Sequence, residues 1–139
     1  MKFVFLCLAM MVWSGIQQEP QKASEEKAVA ADAKPAVDAT KLTNPTKPTP
    51  VSLAAGKKAY SLDCAMCHGK VGAGDGDLAA DMKLTLKDYR DPEALKALSD
   101  GDIYAIIDKG KGQMSGEEGR MKAAQIWDVV NYVRSLSKK

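Results

Sequence analysis

Five consecutive residues, Cys64-Ala65-Met66-Cys67-His68, constrain this chain most strongly, because they place two thiols and an imidazole within one turn of backbone. His68 is the only histidine in the 139 residues, which excludes the metal sites that require two histidines from one chain. The third cysteine, Cys7, lies far away near the start, and three cysteines are too few for a disulfide scaffold. Any chemistry of the cysteines must therefore come from Cys64 and Cys67.

The pattern C-x-x-C-H is the attachment pattern of c-type haem. Two thiols at this spacing reach the two vinyl groups of one porphyrin and form thioethers, and the histidine that follows offers its imidazole to the iron. We therefore predict one covalent haem c on Cys64 and Cys67, with His68 as the proximal axial ligand. Three other interpretations of this pattern fit less well. A thioredoxin-like dithiol requires strands that the sequence lacks, and a structural zinc site requires four ligands. Two buried thiols beside a surface histidine without function would require three specific residue types to coincide by chance.

Methionine is the favoured ligand for the opposite axial position, since no second histidine exists. Met114 stands in the glycine-rich segment 109–116, which is free to bring a thioether over the haem, and we predict it as the distal ligand. Met66 lies inside the attachment motif and cannot reach the far face. We expect Met121 to fill the core and Met82 to pack against the porphyrin edge.

The first half of the chain divides into two segments. Residues 1–16 have one lysine before an apolar run that ends in small residues, which is typical of a signal peptide, with an uncleaved membrane anchor as the alternative. A lipid-modified Cys7 is disfavoured by the bulky residues before it. Residues 17–50 contain five prolines and few large apolar residues, as in a flexible linker. We expect export to the periplasm, with a folded domain over residues 51–139.

Apolar residues at helical spacing predict an all-α domain, and no segment alternates as a strand does. Three or four helices are expected: Leu53–Cys64 after a Ser52 cap, Pro92–Leu98 after an Asp91 cap, a helix from Asp100 or Asp102 that ends at Gly110, and Lys122–Leu136. About ninety residues form only a small core, so a bound haem would also contribute to folding.

From about Leu53 to Leu136 the chain resembles a small bacterial cytochrome c of class I, through the attachment motif and the terminal helix pattern. The resemblance implies that helices surround one haem and that the first and last helices cross. Gly56 and Tyr60 would contact Val129 and Tyr132 at that crossing.

Two positions depart from the family pattern. The family often has proline after the axial methionine, where this chain has Ser115, and it commonly has a proline after the attachment motif whose carbonyl accepts the hydrogen bond of the ligand imidazole. No proline stands between His68 and Pro92. We therefore expect a backbone carbonyl within Val71–Asp77 to accept that bond.

The glycine-rich segment 69–76 matches neither a nucleotide-binding loop nor, despite Asp75 and Asp77, a calcium loop, so we expect it to wrap the haem.

The net charge and the positions of the cations indicate which partners the chain can bind. A formal net charge of +2 argues against nucleic-acid binding. Four cations near Met114 could form a basic rim for an acidic redox partner, and three residues are candidates for contact with the haem propionates. They are Lys109, Lys111, Arg120 and Lys122 for the rim, and Lys87, Tyr89 and Arg90 for the propionates.

These observations predict a protein that passes single electrons between redox protein partners and is not an enzyme by itself, and that is tethered to a membrane if residues 1–16 are an uncleaved anchor. Two alternatives remain at this point. One is a haem enzyme or gas sensor with a labile sixth ligand, and the other is a haem subunit of a larger oxidoreductase complex.

Overall fold

Helices form the framework of the protein in a computed structural model that describes residue 38 and residues 41–137. The elements, in chain order, are α1 (Pro50–Asp63), α2 (Ala65–His68), α3 (Asp77–Asp81), α4 (Asp100–Lys109), β1 (Gly110–Lys111), β2 (Met114–Ser115) and α5 (Ala123–Leu136). The predicted helical fold is confirmed. The expectation of no strands was wrong in one place, where β1 and β2 pair as a small antiparallel hairpin.

Helix α1 begins earlier than the sequence pattern indicated. Thr49 is its cap and accepts a hydrogen bond from the backbone N–H of Ser52 at 3.2 Å, while Pro50 occupies the start of the helix. The fixed φ of proline suits this position, where no intrahelical donor is needed. The predicted Ser52 cap was therefore wrong: Ser52 is buried inside the helix, and its hydroxyl donates to Asp128 on α5 at 2.6 Å.

Helix α4 has the two boundaries that its sequence predicts. Ser99 caps it: the backbone N–H of Asp102 donates to the Ser99 hydroxyl at 3.1 Å, and the Asp102 carboxylate accepts from the Ser99 N–H at 2.8 Å. Gly110 ends it with a φ of 83°, in the left-handed region that glycine adopts without strain.

The predicted helix over Pro92–Leu98 was wrong, because this segment forms consecutive turns. Its hydrogen bonds span three residues, as from the Leu98 N–H to the Leu95 carbonyl at 3.1 Å. The guanidinium of Arg134 on α5 donates to the carbonyls of both Leu95 and Leu98. A long-range contact from α5 thus binds this segment through its backbone carbonyls.

The core centres on the contact between α1 and α5. A Cβ placed on Gly56 would lie 2.0 Å from the carbonyl oxygen of Asp128, so only glycine allows the two backbones to come this close. One turn further along α1, the rings of Tyr60 and Tyr132 meet edge to face with centroids 5.2 Å apart. Val129 is fully buried beside them. The predicted contact of the first and last helices is confirmed.

Residues 44–49, which we call the N-terminal strap, are bonded to α5. The Asn44 side chain donates to Asn131 Oδ1 at 2.8 Å, and Asn131 Nδ2 donates to the Thr46 carbonyl and to Ser52 Oγ, each at 2.9 Å. Asn131 is 5% exposed, so this polar group is buried with its partners in place.

The predicted export segment, residues 1–16, and most of the predicted linker lie outside the described residues. Within the part of the chain that the structure describes, no helix combines the length and apolar character that a membrane crossing requires.

Candidate functional site

The attachment motif lies at the junction of α1 and α2. Cys64 follows the last residue of α1 and donates its N–H to the Tyr60 carbonyl at 2.9 Å, while its own carbonyl accepts the His68 N–H at 2.9 Å. Both thiols are free of disulfides. Burial raises the pKa of Cys64 to about 12, so its sulfur is a neutral thiol.

The glycine-rich segment 69–76 folds back over this junction. The N–H of Gly74 donates to the His68 carbonyl at 2.9 Å, and the N–H of Gly76 donates to the Cys67 carbonyl at 3.1 Å. The buried hydroxyl of Tyr60 donates to the Gly69 carbonyl at 2.9 Å. Helix α1 thus ends directly before the attachment motif and supplies a side chain that bonds the residue directly after it.

His68 lies beside the ring of Tyr89, with centroids 5.1 Å apart and an angle of 23° between the planes. Burial lowers the pKa of His68, which favours the neutral imidazole that binds metals. Its buried Nδ1 has no hydrogen-bond partner among the described residues. The expected acceptor within Val71–Asp77 was therefore wrong; the Gly72 carbonyl of that segment accepts the Tyr89 N–H at 2.7 Å instead.

Met114 lies on β2 rather than on an irregular loop. It pairs with Lys111 in the hairpin, and a Cβ on Gly110 would lie 2.4 Å from the Met114 carbonyl oxygen. Beyond the hairpin, the N–H of Glu117 donates to the Ile107 carbonyl at 2.9 Å, which ties the segment to the end of α4. The backbone around Met114 is thus fixed on both sides.

One cavity brings most of the predicted site residues together. Cys64, His68 and Met114 all line it, whereas Cys67, on α2 next to His68, does not. The remaining lining is almost wholly apolar and comprises Tyr60, Tyr89, Leu95, Leu98, Ile103, Ile106, Ile107, Val129 and Val133. Nothing in the sequence pattern indicated that Leu95 and Leu98 line the cavity.

The other methionines among the described residues do not line this cavity. Met121 packs against the hydrophobic core, as expected of a filler. Met66 is 56% exposed and Met82 is 44% exposed. Packing of Met82 against the porphyrin edge would place it on the cavity wall, and it is not there, so that prediction was wrong.

The family model for cytochrome c matches residues 53–137, which is more than half of the chain. The chain belongs to the cytochrome c family. Cytochrome c6 of Limnospira maxima is 32% identical over 90 residues, which cover 63% of this chain and 96% of that protein. This protein is accordingly a monohaem electron-transfer cytochrome with covalently bound haem c, and such a function implies redox partners.

Two solved structures resemble this cytochrome. A chain of the reducing HAO-like protein complex of Kuenenia stuttgartiensis matches with a TM-score of 0.58 and 28% identity, over 68% of this chain and 49% of that one. Our chain thus spans about half the length of that match. The c-type cytochrome KustC0563 matches with a TM-score of 0.52 and 26% identity, over 58% of this chain and 95% of that one.

The residues present fit haem c. The cytochrome offers two free thiols at the attachment spacing, and an imidazole and a thioether on the wall of one apolar cavity. Among the described residues, no cluster of three or more His, Cys, Asp or Glu side chains could hold a bare metal ion.

The candidate propionate contacts fall in different places. Tyr89 lines the cavity, but the ammonium group of Lys87 donates to the Ala94 carbonyl at 2.8 Å, and Arg90 pairs with Asp88 at 2.6 Å on the surface. Arg90 holds the pKa of Asp88 down at about 2 through hydrogen bonds to its carboxylate. Two of the three candidates are therefore bonded elsewhere.

The predicted basic rim is half neutralised by carboxylates of its own segment. Lys109 pairs with Glu118 and, at 3.3 Å, with Asp108, and Arg120 pairs with Glu117 at 2.5 Å. Since exposed ion pairs cancel most of each other's field at a distance, Lys111 and Lys122 carry most of the remaining positive charge.

Proposed function

We propose that Cys64 and Cys67 hold haem c through two thioether bonds and that His68 and Met114 are its two axial ligands. The observation that carries this proposal is that one otherwise apolar cavity is lined by Cys64, His68 and Met114 together. Cys67 is included because its spacing from Cys64 and His68 is that of the attachment pattern.

Haem c supplies a one-electron couple between Fe(II) and Fe(III). The Met114 thioether is a soft ligand that favours Fe(II) and so raises the reduction potential relative to a harder donor. With protein ligands on both faces, small molecules such as dioxygen find no free coordination position. The apolar walls, including Ile103, Ile107 and Val133, exclude water around the site. These properties suit a carrier that passes single electrons between redox proteins and catalyses no reaction by itself.

A second candidate function is that of a haem module within a larger oxidoreductase complex. It is supported by the likeness to a chain of the reducing HAO-like protein complex, which this chain matches over about half of that chain's length. The chemistry at Cys64, Cys67, His68 and Met114 would be the same in both cases. Co-purification of a stable partner with the native protein distinguishes a complex subunit from a free carrier.

Export to the periplasm is part of the proposal, because haem c is assembled outside the cytoplasm in the family that the sequence resembles. Residues 1–16 would serve as a signal peptide or as a membrane anchor. The mass of the mature protein distinguishes them, since cleavage removes this segment and an anchor retains it.

The axial ligation is tested by absorption spectra of the protein produced with its haem-maturation machinery. Ferric protein should show the far-red band of methionine-to-iron charge transfer, and Met114→Ala should abolish it and let the reduced form bind carbon monoxide rapidly. Met121→Ala, which alters a methionine packed against the core, should keep the band. A band that survives in Met114→Ala would refute Met114 as ligand, and a mature protein with the mass of bare peptide would refute haem attachment.

A further inference from the structure

Tyr89 has contacts that suggest a specific task beside His68. Its ring stacks on the imidazole with centroids 5.1 Å apart, and its side chain lines the same cavity as His68 and Met114. Aromatic pairs at this distance prefer defined relative orientations. The imidazole of His68 therefore has one flat neighbour that restricts its rotation about the Cβ–Cγ bond.

The position of Tyr89 is itself fixed by the backbone. Its N–H donates to the Gly72 carbonyl at 2.7 Å, a short bond between the glycine-rich segment and the start of the following turns. Gly72 has a φ of 78°, and a Cβ there would lie 3.3 Å from Cβ of Tyr89 and 2.6 Å from a methyl group of Leu136. The backbone of Gly72 thus packs closely between Leu136 on α5 and the side chain of Tyr89, which leaves the Tyr89 side chain little room to move on that side.

In the described part of the chain, no hydrogen bond to Nδ1 of His68 performs this task. The Nδ1 atom of His68 is buried and accepts or donates no hydrogen bond, so no carbonyl fixes the orientation of the imidazole. The structure shows no hydrogen bond of the Tyr89 hydroxyl to any described residue either. The ring of Tyr89, rather than its hydroxyl, is the group in contact with His68.

We infer that Tyr89 is a positioning residue that sets the rotational orientation of the His68 imidazole by ring stacking, in place of a hydrogen bond to the imidazole. This inference rests on the proposed role of His68 as axial ligand. The plane of an axial imidazole determines how its orbitals overlap with those of the iron. A change in that orientation therefore alters the magnetic properties of ferric haem even when both axial ligands stay bound.

Electron paramagnetic resonance of the ferric holoprotein tests the inference with three variants. Tyr89→Leu, which keeps an apolar side chain but removes the ring, should shift and broaden the low-spin g values, because the imidazole then adopts several orientations. Tyr89→Phe should reproduce the native signal, since it keeps the ring. Tyr104→Leu is the matched control, because it breaks another aromatic pair, with Trp127 at 4.3 Å, outside the cavity lining.

The inference is wrong if Tyr89→Leu gives the native g values, if Tyr89→Phe changes them as much as Tyr89→Leu, or if Tyr104→Leu changes them equally. The far-red band, recorded on each variant, reports separately whether the axial ligation itself is intact. If Tyr89→Leu is produced in poor yield, the unsubstituted protein provides a second test. Its diamagnetic Fe(II) form with haem bound should show nuclear Overhauser contacts between the ring protons of Tyr89 and His68. Their absence would also overturn the inference.

Discussion

Gly56 and Tyr60 lie one turn apart on α1 and connect the helix packing to the haem attachment motif. Gly56 lets the backbone of α5 approach, and Tyr60 packs on Tyr132 while its hydroxyl holds the Gly69 carbonyl. A change at either residue is therefore transmitted both to the core and to the segment that carries Cys64 and His68.

Replacing Gly56 by alanine should destabilise the folded protein, because the new Cβ would stand 2.0 Å from the Asp128 carbonyl oxygen and 2.9 Å from Cβ of Tyr132. Overpacking of this kind costs about 1–3 kcal/mol. Urea unfolding of the holoprotein, followed by haem absorption, measures the loss. Ala55→Leu adds volume at an exposed position of the same helix and should change the free energy of unfolding by less than about 0.5 kcal/mol. Equal effects of the two substitutions would contradict the close approach at Gly56.

Tyr60→Phe should lower the free energy of unfolding by about 1 kcal/mol, since it removes the buried hydrogen bond to the Gly69 carbonyl and leaves that acceptor without its donor. Tyr132→Phe is the control, because the structure shows no hydrogen bond from the Tyr132 hydroxyl to any described residue. The same urea titration compares the two. A loss that is as large in Tyr132→Phe would show that the hydroxyl of Tyr60 has no special role.

The hairpin of β1 and β2 holds Met114 at the end of α4. Its two ladder pairs are Gly110 with Ser115 and Lys111 with Met114, and Gly110 forms both the end of the helix and the start of the hairpin. A short, tightly turned element of this kind leaves the methionine little freedom along the chain. The orientation of the proposed distal ligand therefore depends on the backbone at Gly110.

Gly110→Ala should displace the hairpin and weaken the far-red band of the ferric protein, because a Cβ there meets the Met114 carbonyl oxygen at 2.4 Å. Gly112→Ala is the control for a new Cβ at another glycine of the hairpin. Both glycines have positive φ, 83° and 61°, so both substitutions strain the backbone, but a Cβ on Gly112 has no neighbour within 4 Å. The band should survive in Gly112→Ala, and comparable loss in both variants would mean that backbone strain alone displaces the ligand.

Elements whose cause is local were predictable from the sequence. The stripe of Ile126, Val130 and Val133 predicts α5, and Gly110 predicts the end of α4, because apolar periodicity and the ending of a helix at glycine depend on near neighbours in the chain. The same holds for the attachment motif.

Features with a distant cause were not predictable. The carbonyls of Leu95 and Leu98 accept hydrogen bonds from Arg134, about forty residues away, and Tyr89, which contacts His68, is bonded to the Gly72 carbonyl. The local pattern of residue types in a sequence contains no information on either of these long-range contacts. The site residues that sequence reasoning missed, Leu95 and Leu98, are on that same segment of turns.

At the scale of the whole molecule, the cavity connects all three long helices. Tyr60 comes from α1, Ile103 and Ile107 come from α4, and Val129 and Val133 come from α5. Burial of apolar surface contributes roughly 25 cal/mol per Å², so a large flat cofactor in this cavity adds substantially to a small core. The haem c of this family is therefore a structural component as well as the redox centre.

The N-terminal strap extends this folded unit beyond the start of α1. The strap residues Asn44 and Thr46 bond to the buried side chain of Asn131, and Thr49 caps α1. The composition of residues 17–50 predicts a linker up to Pro50, because proline-rich polar chain has little apolar surface to bury. Hydrogen bonds to a buried asparagine stabilise the strap without requiring such surface.

Deleting residues 42–49 should therefore destabilise the holoprotein, whereas deleting residues 26–33, an equal length of the predicted linker, should leave its unfolding unchanged. Loss of the Thr49 cap costs about 1 kcal/mol, and a buried Asn131 without its strap partners costs about 1–3 kcal/mol more. Urea unfolding of both deletion proteins, with residues 1–16 retained for export, measures the difference. Asn44→Ala, which removes one strap contact and keeps the chain length, should give a smaller loss in the same direction. Identical unfolding of the two deletion proteins would show that residues 42–49 belong with the linker and that the domain begins at α1.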